Sequence, residues 1–370
     1  MTADTDTDTD TGTGAAPGTG PRTGAGDSVL VSALAAHARA AAHARAAVHP
    51  RSPAAPCVCG SAPLADRDDA TVVRHGGTVA KAHAPDTDTP ALALRVAVAD
   101  RLPDLLLPPL TPAAPIRLHG RPVTLWPYGA PVDPDDPDAA PWEAAATLLA
   151  RLHRAPVPAG LPPMRGPVKA ARALGRLRAA LGTAAHRADA HEAARAVTAA
   201  WAALPPWARS AAPMPGPAAL CHGDLHLGQL VRHPAPDGPW KLIDVDDLGA
   251  GVPAWDLARP AAWYACGLLP PDEWARFLAA YRQAGGPAVP EDGDPWPALD
   301  VPARALTVQT AALAITKALA GDRPLDEVEQ AVVDACARMP AVPSQYPGPS
   351  RPAVPSRLPG PPRPASGFPG

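Results

Sequence analysis

The sequence predicts an α+β fold in two unequal lobes, a small β-rich one followed by a larger, mostly helical one. Three observations carry this. Between Ala70 and His83 two runs rich in β-formers, Thr71-Val72-Val73-Arg74 and Thr78-Val79-Ala80-Lys81, flank the turn His75-Gly76-Gly77, which is the pattern of a hairpin. Arg121 to Tyr128 returns to strand-like residues after a helical stretch. From Pro141 onward, apolar residues recur at helical spacing almost without a break. Composition agrees: 46% of the 370 residues are hydrophobic but only 4% are aromatic, so the core has to be assembled from Leu, Val and Ala.

Residues 1–27 alternate Thr and Asp and then turn to Gly, Thr and Pro, burying too little apolar surface to offset ordering entropy, so a disordered tail is expected. Residues 28–57 read as a helical extension, because Val29 to Val48 repeats His-Ala-Arg-Ala-Ala at His37 and His43 with no Gly or Pro inside. The small lobe is expected over residues 58–127: the hairpin, a helix from Leu92 to Leu102 stopped by Pro103, and the third strand. The mostly helical part is expected over residues 128–340. Its first helix opens at Pro141, carries Trp142, Ala145, Leu148, Leu149 and Leu152 on one stripe, and closes at Pro156. Two short β-rich pieces, around Leu230-Val231 and Leu242-Ile243, flank a turn at Pro236 to Pro239 and predict a second, smaller hairpin. Residues 341–370 are crowded with Pro, Gly, Ser and Arg, the composition of an extended, solvated tail.

A formal charge of −3 gives no basic field for nucleic acid. No run approaches the roughly 18 apolar residues of a membrane span, and no leader pattern opens the chain, so a cytoplasmic protein is expected. Five scattered cysteines do not make a disulfide framework, and Cys57-Val58-Cys59 lacks the second cluster that a metal site requires.

The residues that carry chemistry lie between Leu220 and Arg259. Cys221-His222-Gly223-Asp224-Leu225-His226-Leu227-Gly228-Gln229 ends near the first strand of the small hairpin, and Ile243-Asp244-Val245-Asp246-Asp247 lies on the second, which brings Asp224 and Asp244 side by side. Phosphoryl transfer needs magnesium on the phosphate oxygens and a carboxylate to orient or deprotonate the acceptor hydroxyl, and two such carboxylates supply both. Gly223 allows a sharp turn ahead of Asp224, and His222 can hold the loop by hydrogen bonds.

These strings, followed by Gly251-Val252-Pro253-Ala254-Trp255-Asp256-Leu257-Ala258, resemble the catalytic loop, metal segment and following helix of the aminoglycoside phosphotransferase family. The resemblance implies a bilobal protein-kinase-like fold and ATP-dependent phosphorylation, with Mg2+, of a small-molecule hydroxyl on an aminoglycoside, sugar or amino alcohol. It makes Asp224 the catalytic base, Asp244 a magnesium ligand and Asp256 a carboxylate that stabilises the catalytic loop. The family's second metal ligand, five residues after the base, is Asn; this chain has Gln229, whose carbonyl oxygen sits on a longer stem. The string His222-Gly223-Asp224-Leu225-His226-Leu227-Gly228-Gln229 is also similar to that of bacterial maltokinases.

Upstream, Lys81 ends a strand similar to the Val-Ala-Ile-Lys strand whose lysine reaches the ATP phosphates. No Glu precedes Glu143, so its partner is expected among Asp86, Asp88 and Asp100, or to be missing. Trp126 and Tyr128 come where the hinge backbone would bond adenine, and His153 in Leu149-Ala150-Arg151-Leu152-His153 reads as structural. Asp246, Asp247, Glu291, Asp292 and Asp294 could line an acidic pocket for a cationic acceptor, against a plainer reading as solvated loop and turn caps. Two other functions compete: a kinase-like nucleotide-binding protein without catalysis, suggested by Gln229 and the missing Glu, and a metal hydrolase using His222, Asp224 and His226.

Overall fold

The hairpin read from Ala70 to His83 is the centre of a five-stranded antiparallel sheet. The computed structural model describes residues 25–45, 59–67, 69–110, 115–136, 139–184 and 187–339. Most of the two expected tails, together with Cys57, lie outside the described residues. The chain runs through α1 (Ala25–Arg45), β1 (Ser61–Asp66), β2 (Ala70–His75), β3 (Thr78–His83), α2 (Thr89–Arg101), β4 (Ile116–Leu118) and β5 (Arg121–Pro127), with sheet order β1-β2-β3-β5-β4. Lys81 pairs across the ladder with Val72 on one side and Thr124 on the other.

Strand periodicity decides which way Lys81 points. Val73, Ala80, Ala82, Val123 and Leu125 are buried on one face of the sheet and pack against Leu30, Leu34 and Ala38, one face of α1 at i, i+4, i+8 spacing. Lys81 and His83 alternate with Ala80 and Ala82, so they project from the opposite face. The first helix is therefore part of the small lobe's core rather than a separate extension; its sequence was readable as a helix, but nothing local indicated the sheet that covers it.

The rest of the chain comprises β6 (Ala130–Pro131), α3 (Trp142–Arg154), α4 (Gly166–Thr183), α5 (Ala188–Ala203), β7 (Ala219–Cys221), β8 (Leu230–Arg232), β9 (Trp240–Leu242), β10 (Gly249–Gly251), α6 (Ala258–Ala265), α7 (Pro271–Gln283), α8 (Trp296–Ala320) and α9 (Glu327–Arg338). Its core runs from Leu149 and Leu152 of α3 to Val308 and Ile315 of α8 and Val333 of α9, and it includes Leu92, Val96 and Ala99 of α2. Helix α2, expected with the small lobe, thus shares the large lobe's core. It also starts earlier than its apolar run suggested, because the Asp88 carboxylate caps Ala91 N–H at 3.0 Å and Pro90 occupies the first turn.

The small hairpin forms as read: β8 and β9 are antiparallel with Leu230 opposite Leu242. At the hinge, a Cβ on Gly129 would lie 2.4 Å from Val231 Cγ2, so only glycine lets the chain pass this close to β8. Among the described residues no helix is long and apolar enough to cross a membrane.

Because Leu34 is fully buried beneath the sheet that presents Lys81, Leu34→Ala should destabilise the protein by roughly 2–5 kcal/mol. Urea unfolding checks this, and a loss below about 1 kcal/mol would show that α1 does not support the sheet.

Candidate active site

Two short ribbons deliver the residues between Leu220 and Arg259. Strand β7 leads into His222-Gly223-Asp224 and pairs with β10, Cys221 opposite Gly249. Strand β9 leads into Asp244, and the Ile243 N–H extends its hairpin by donating to the Gln229 carbonyl at 2.9 Å. The two loops touch. Gly223 has φ +86°, and a Cβ there would sit 2.3 Å from the Asp247 carbonyl oxygen, so no other residue fits the turn ahead of Asp224.

Asp256 fixes that turn. Its carboxylate, 1% exposed, accepts the backbone N–H of His222 at 2.6 Å and of Gly223 at 2.7 Å. His153 Nε2 lies 3.0 Å from the same carboxylate and its Nδ1 2.7 Å from the Tyr281 hydroxyl. His222 Nε2 donates to the Ile243 carbonyl at 2.8 Å, tying the loop to the segment that bears Asp244. Helix α6 begins at Ala258 without a side-chain cap, so the Asp256 carboxylate serves the loop and not the helix terminus.

The Lys81 ammonium crosses from β3 to lie 2.7 Å from Asp244 Oδ1 and 3.1 Å from Asp246 Oδ2. Its partner is therefore not Asp86, Asp88 or Asp100, as the absence of Glu had suggested. Asp86 and Asp88 lie between β3 and α2 and Asp100 in the last turn of α2, whereas Lys81 points across the cleft. Helix α2 instead reaches the stretch that follows Asp244 through Arg95, whose Nε donates to the Leu248 carbonyl at 2.7 Å. Asp244 sits in a left-handed conformation, φ 64° and ψ 81°, with Asp246 N–H on its Oδ1 at 3.3 Å. Gln229 lies in the turn just before β8 and is largely buried.

The hinge residues are more occupied than the sequence suggested. Trp126 Nε1 donates to Thr124 Oγ1 at 2.8 Å. Tyr128 N–H donates to the Gly77 carbonyl at 2.9 Å, and its carbonyl lies 3.1 Å from His233 Nδ1. An adenine bond to the Tyr128 backbone has to compete with both.

Sequence reasoning missed the residues that hold Asp224. Lys169 of α4 places its ammonium 2.5 Å from Asp224 Oδ2 and 2.8 Å from Asp247 Oδ2. Arg259 of α6 lies 2.9 Å from Asp224 Oδ1, and Arg165 lies 3.6 Å from Asp247. One signal was available for Lys169, since it is one of four lysines in the chain; nothing in the motif spacing pointed to α4. The acidic pocket is not assembled as such: Asp246 is paired with Lys81 and Asp247 with Lys169, Asp294 accepts Trp296 N–H at 3.0 Å ahead of α8, and Glu291 and Asp292 are exposed. A hydrolase built on His222, Asp224 and His226 is also unsupported, because His222 Nε2 is bonded to Ile243 and both Asp224 oxygens hold cations.

Residues 62–299, which contain every one of these groups, match the phosphotransferase enzyme family. The chain belongs to that family. It is a small-molecule phosphotransferase with the kinase-like arrangement of a β-rich lobe and a helical lobe. Similar solved structures include a choline/ethanolamine kinase family protein from Mesorhizobium loti, 18% identical, covering 81% of this chain and 92% of that one with a TM-score of 0.44. A macrolide 2'-phosphotransferase from Brachybacterium faecium is 20% identical, with 83% and 99% covered and a TM-score of 0.43. A spectinomycin phosphotransferase in complex with ADP and spectinomycin is 12% identical, with 75% and 92% covered and a TM-score of 0.47. No match was found among curated protein sequences.

The electrostatics of the phosphotransferase site follow from these pairs. Burial alone would raise the Asp224 pKa, but Lys169 and Arg259 outweigh it and hold the carboxyl at about 2. Burial likewise opposes Lys81 and Lys169, and the facing carboxylates overcome it and raise both. Asp247 is raised, by burial and by the nearby Asp224 charge, and burial with Arg259 pushes His226 down to about 4. A carboxylate depressed in the folded state contributes stability above its unfolded pKa and loses it as pH falls through the folded value. The stability difference between wild type and Asp224→Asn should therefore shrink by about 2 kcal/mol between pH 5 and pH 2. Denaturant titrations across that range test it, and a constant difference would mean that Asp224 is not held ionised by Lys169 and Arg259.

Proposed function

We propose that the phosphotransferase transfers the γ-phosphoryl group of ATP to a hydroxyl of a small molecule. The observation that carries this reading is the Lys81 ammonium from the small lobe meeting Asp244 of the large lobe at 2.7 Å, in a segment folded directly against the loop that bears Asp224. Lys81 would exchange its carboxylate partners for the α- and β-phosphates, the role that the resemblance of its strand suggests. Trp126 and Tyr128 would flank adenine at the hinge.

The donor set fits magnesium. Asp244 is a partly exposed carboxylate facing a cation, Asp246 is a second beside it, and Gln229, in the turn before β8, is tied to the same segment by its backbone carbonyl, which accepts the Ile243 N–H. Hard oxygen donors of this kind suit a small divalent ion. Asp244 and Gln229 would hold it, and when bound it supplies charge neutralisation of the phosphate oxygens.

Asp224 accepts the hydrogen bond of the acceptor hydroxyl and aims its oxygen. That oxygen bonds to the γ-phosphorus as the bond to the β,γ-bridging oxygen breaks, and its electron pair leaves on ADP. A carboxylate with a pKa near 2 is a weak base, which is sufficient because the hydroxyl proton becomes acidic once its oxygen is bonding to phosphorus. Asp256, His222 and His153 take no part in bond making; they keep the loop in place.

Asp244→Ala should abolish phosphoryl transfer while the protein stays folded, and unchanged turnover at saturating magnesium would sink the reading. Nucleotide binding without turnover in wild type as well would point to a non-catalytic nucleotide-binding protein. Gln229→Asn, which restores the shorter amide, should preserve or raise kcat under the same assay. Loss of activity in a folded Gln229→Asn protein would show that the glutamine has another role.

A further inference from the structure

The charges gathered around Asp224 bear on the acceptor itself. On the nucleotide side, Asp244 and Asp246 are answered by Lys81, with His83 Nδ1 also against Asp246 at 2.9 Å. On the other side, Asp224 and Asp247 face Lys169, Arg259 and Arg165, and Arg95 lies close behind on the Leu248 carbonyl. Three cations thus stand directly against two carboxylates, a surplus of one, with Arg95 buried behind them. The surplus is positive where a site for polycationic alcohols would need it negative, because a cleft concentrates ligands of opposite charge.

Lys169 makes the point sharply. Its ammonium bonds both Asp224 and Asp247, at 2.5 and 2.8 Å, and its side chain is 29% exposed, so it can be reached from the cleft. An acceptor with an amine beside its hydroxyl would seek those same two carboxylates. It would find them filled by an ammonium of the protein.

We propose that the acceptor is an anionic alcohol, of the hydroxy-acid or sugar-acid class, and that Lys169 is the specificity residue that excludes amine-bearing alcohols by occupying the amine's place between Asp224 and Asp247. This rests on the phosphotransfer reading above. Arg165 and Arg259 supply the remaining charge that an acceptor carboxylate answers. The reaction yields a phosphate ester, ADP and the proton released from the acceptor hydroxyl.

The test uses the full chain with magnesium and ATP and two matched sets of probes: gluconate, glucose and glucosamine, and glycerate, glycerol and ethanolamine. Acceptor-dependent ADP release and the shift in melting temperature of the nucleotide-loaded protein are both read. Gluconate or glycerate should give the largest response and the amines the smallest. Lys169→Gln should raise the response to amines relative to acids at least tenfold, whereas Lys169→Arg should keep the wild-type order. A wild-type preference for amines, equal responses to all probes, an unchanged ratio in Lys169→Gln, or an effect of Lys169→Gln confined to the KM for ATP would each overturn the proposal. Failure of the phosphotransfer reading is seen separately, as ADP release that survives Asp244→Ala; the melting shifts still report the charge preference.

Discussion

The site depends first on one buried carboxylate. Asp256 receives two consecutive backbone N–H groups, from His222 and Gly223, and the imidazole of His153. Consecutive amides point the same way only where the chain turns sharply, and Gly223 supplies that turn with its positive φ. Left without Asp256, these donors would be buried and unpaired, each at a cost of about 1–3 kcal/mol. The constraint propagates backwards as well: Tyr281 accepts Ala288 N–H at 3.0 Å and meets His153, so α7 and the loop after it help hold the imidazole that steadies Asp256. Asp224 is aimed by this assembly without belonging to it.

A second constraint is charge. Asp224, Asp244, Asp246 and Asp247 crowd into one partly desolvated region, and they are matched by cations from three parts of the chain: Lys81 on β3, Arg165 and Lys169 at the start of α4, Arg259 on α6. Breaking a buried pair by removing one partner leaves an uncompensated charge and costs several kcal/mol, far more than an exposed pair is worth. The four carboxylates therefore work as a clamp that draws the sheet and two helices onto the loops. Nucleotide and metal would enter this balance by exchange, taking Lys81 from Asp244 and replacing it with another cation, so the cleft need never hold bare negative charge.

Much of this was legible in the sequence because it is local. The hairpins announced themselves by alternation and glycine, and His222, Asp224, Asp244 and Asp256 by the order and spacing of three strings. What the sequence concealed is tertiary. Strands β7 and β10 are three residues each, too short to show a period, yet their pairing is what sets Asp247 beside Gly223. Lys169 lies 55 residues before Asp224, on a helix whose neighbours read as ordinary surface and core. The missing Glu on α2 invited a search for a local acid, but the sheet face that carries Lys81 is set by the apolar alternation of β3, and that face looks across the cleft. The placement of α1 against the sheet was hidden for the same reason: an alanine-rich helix advertises its conformation and not its partner.

The choice of lysine at two of these places has a physical reason. Of the 33 basic residues only four are lysine, and two of those, Lys81 and Lys169, each bridge a pair of carboxylates. A guanidinium is a rigid planar fork suited to partners in fixed positions, and Arg259 sits in this way, with Nε on the Leu225 carbonyl and one terminal nitrogen on Asp224. An ammonium is a compact charge with three rotatable donors, so it can leave one oxygen for another with little reorganisation. Lys81 must do so if it is to pass from Asp244 to a phosphate, and Lys169 can turn to leave an Asp224 lone pair for an acceptor hydroxyl while it stays between Asp224 and Asp247. In the proposed reaction these are the two places where a chain that otherwise favours arginine would need a cation able to change partner.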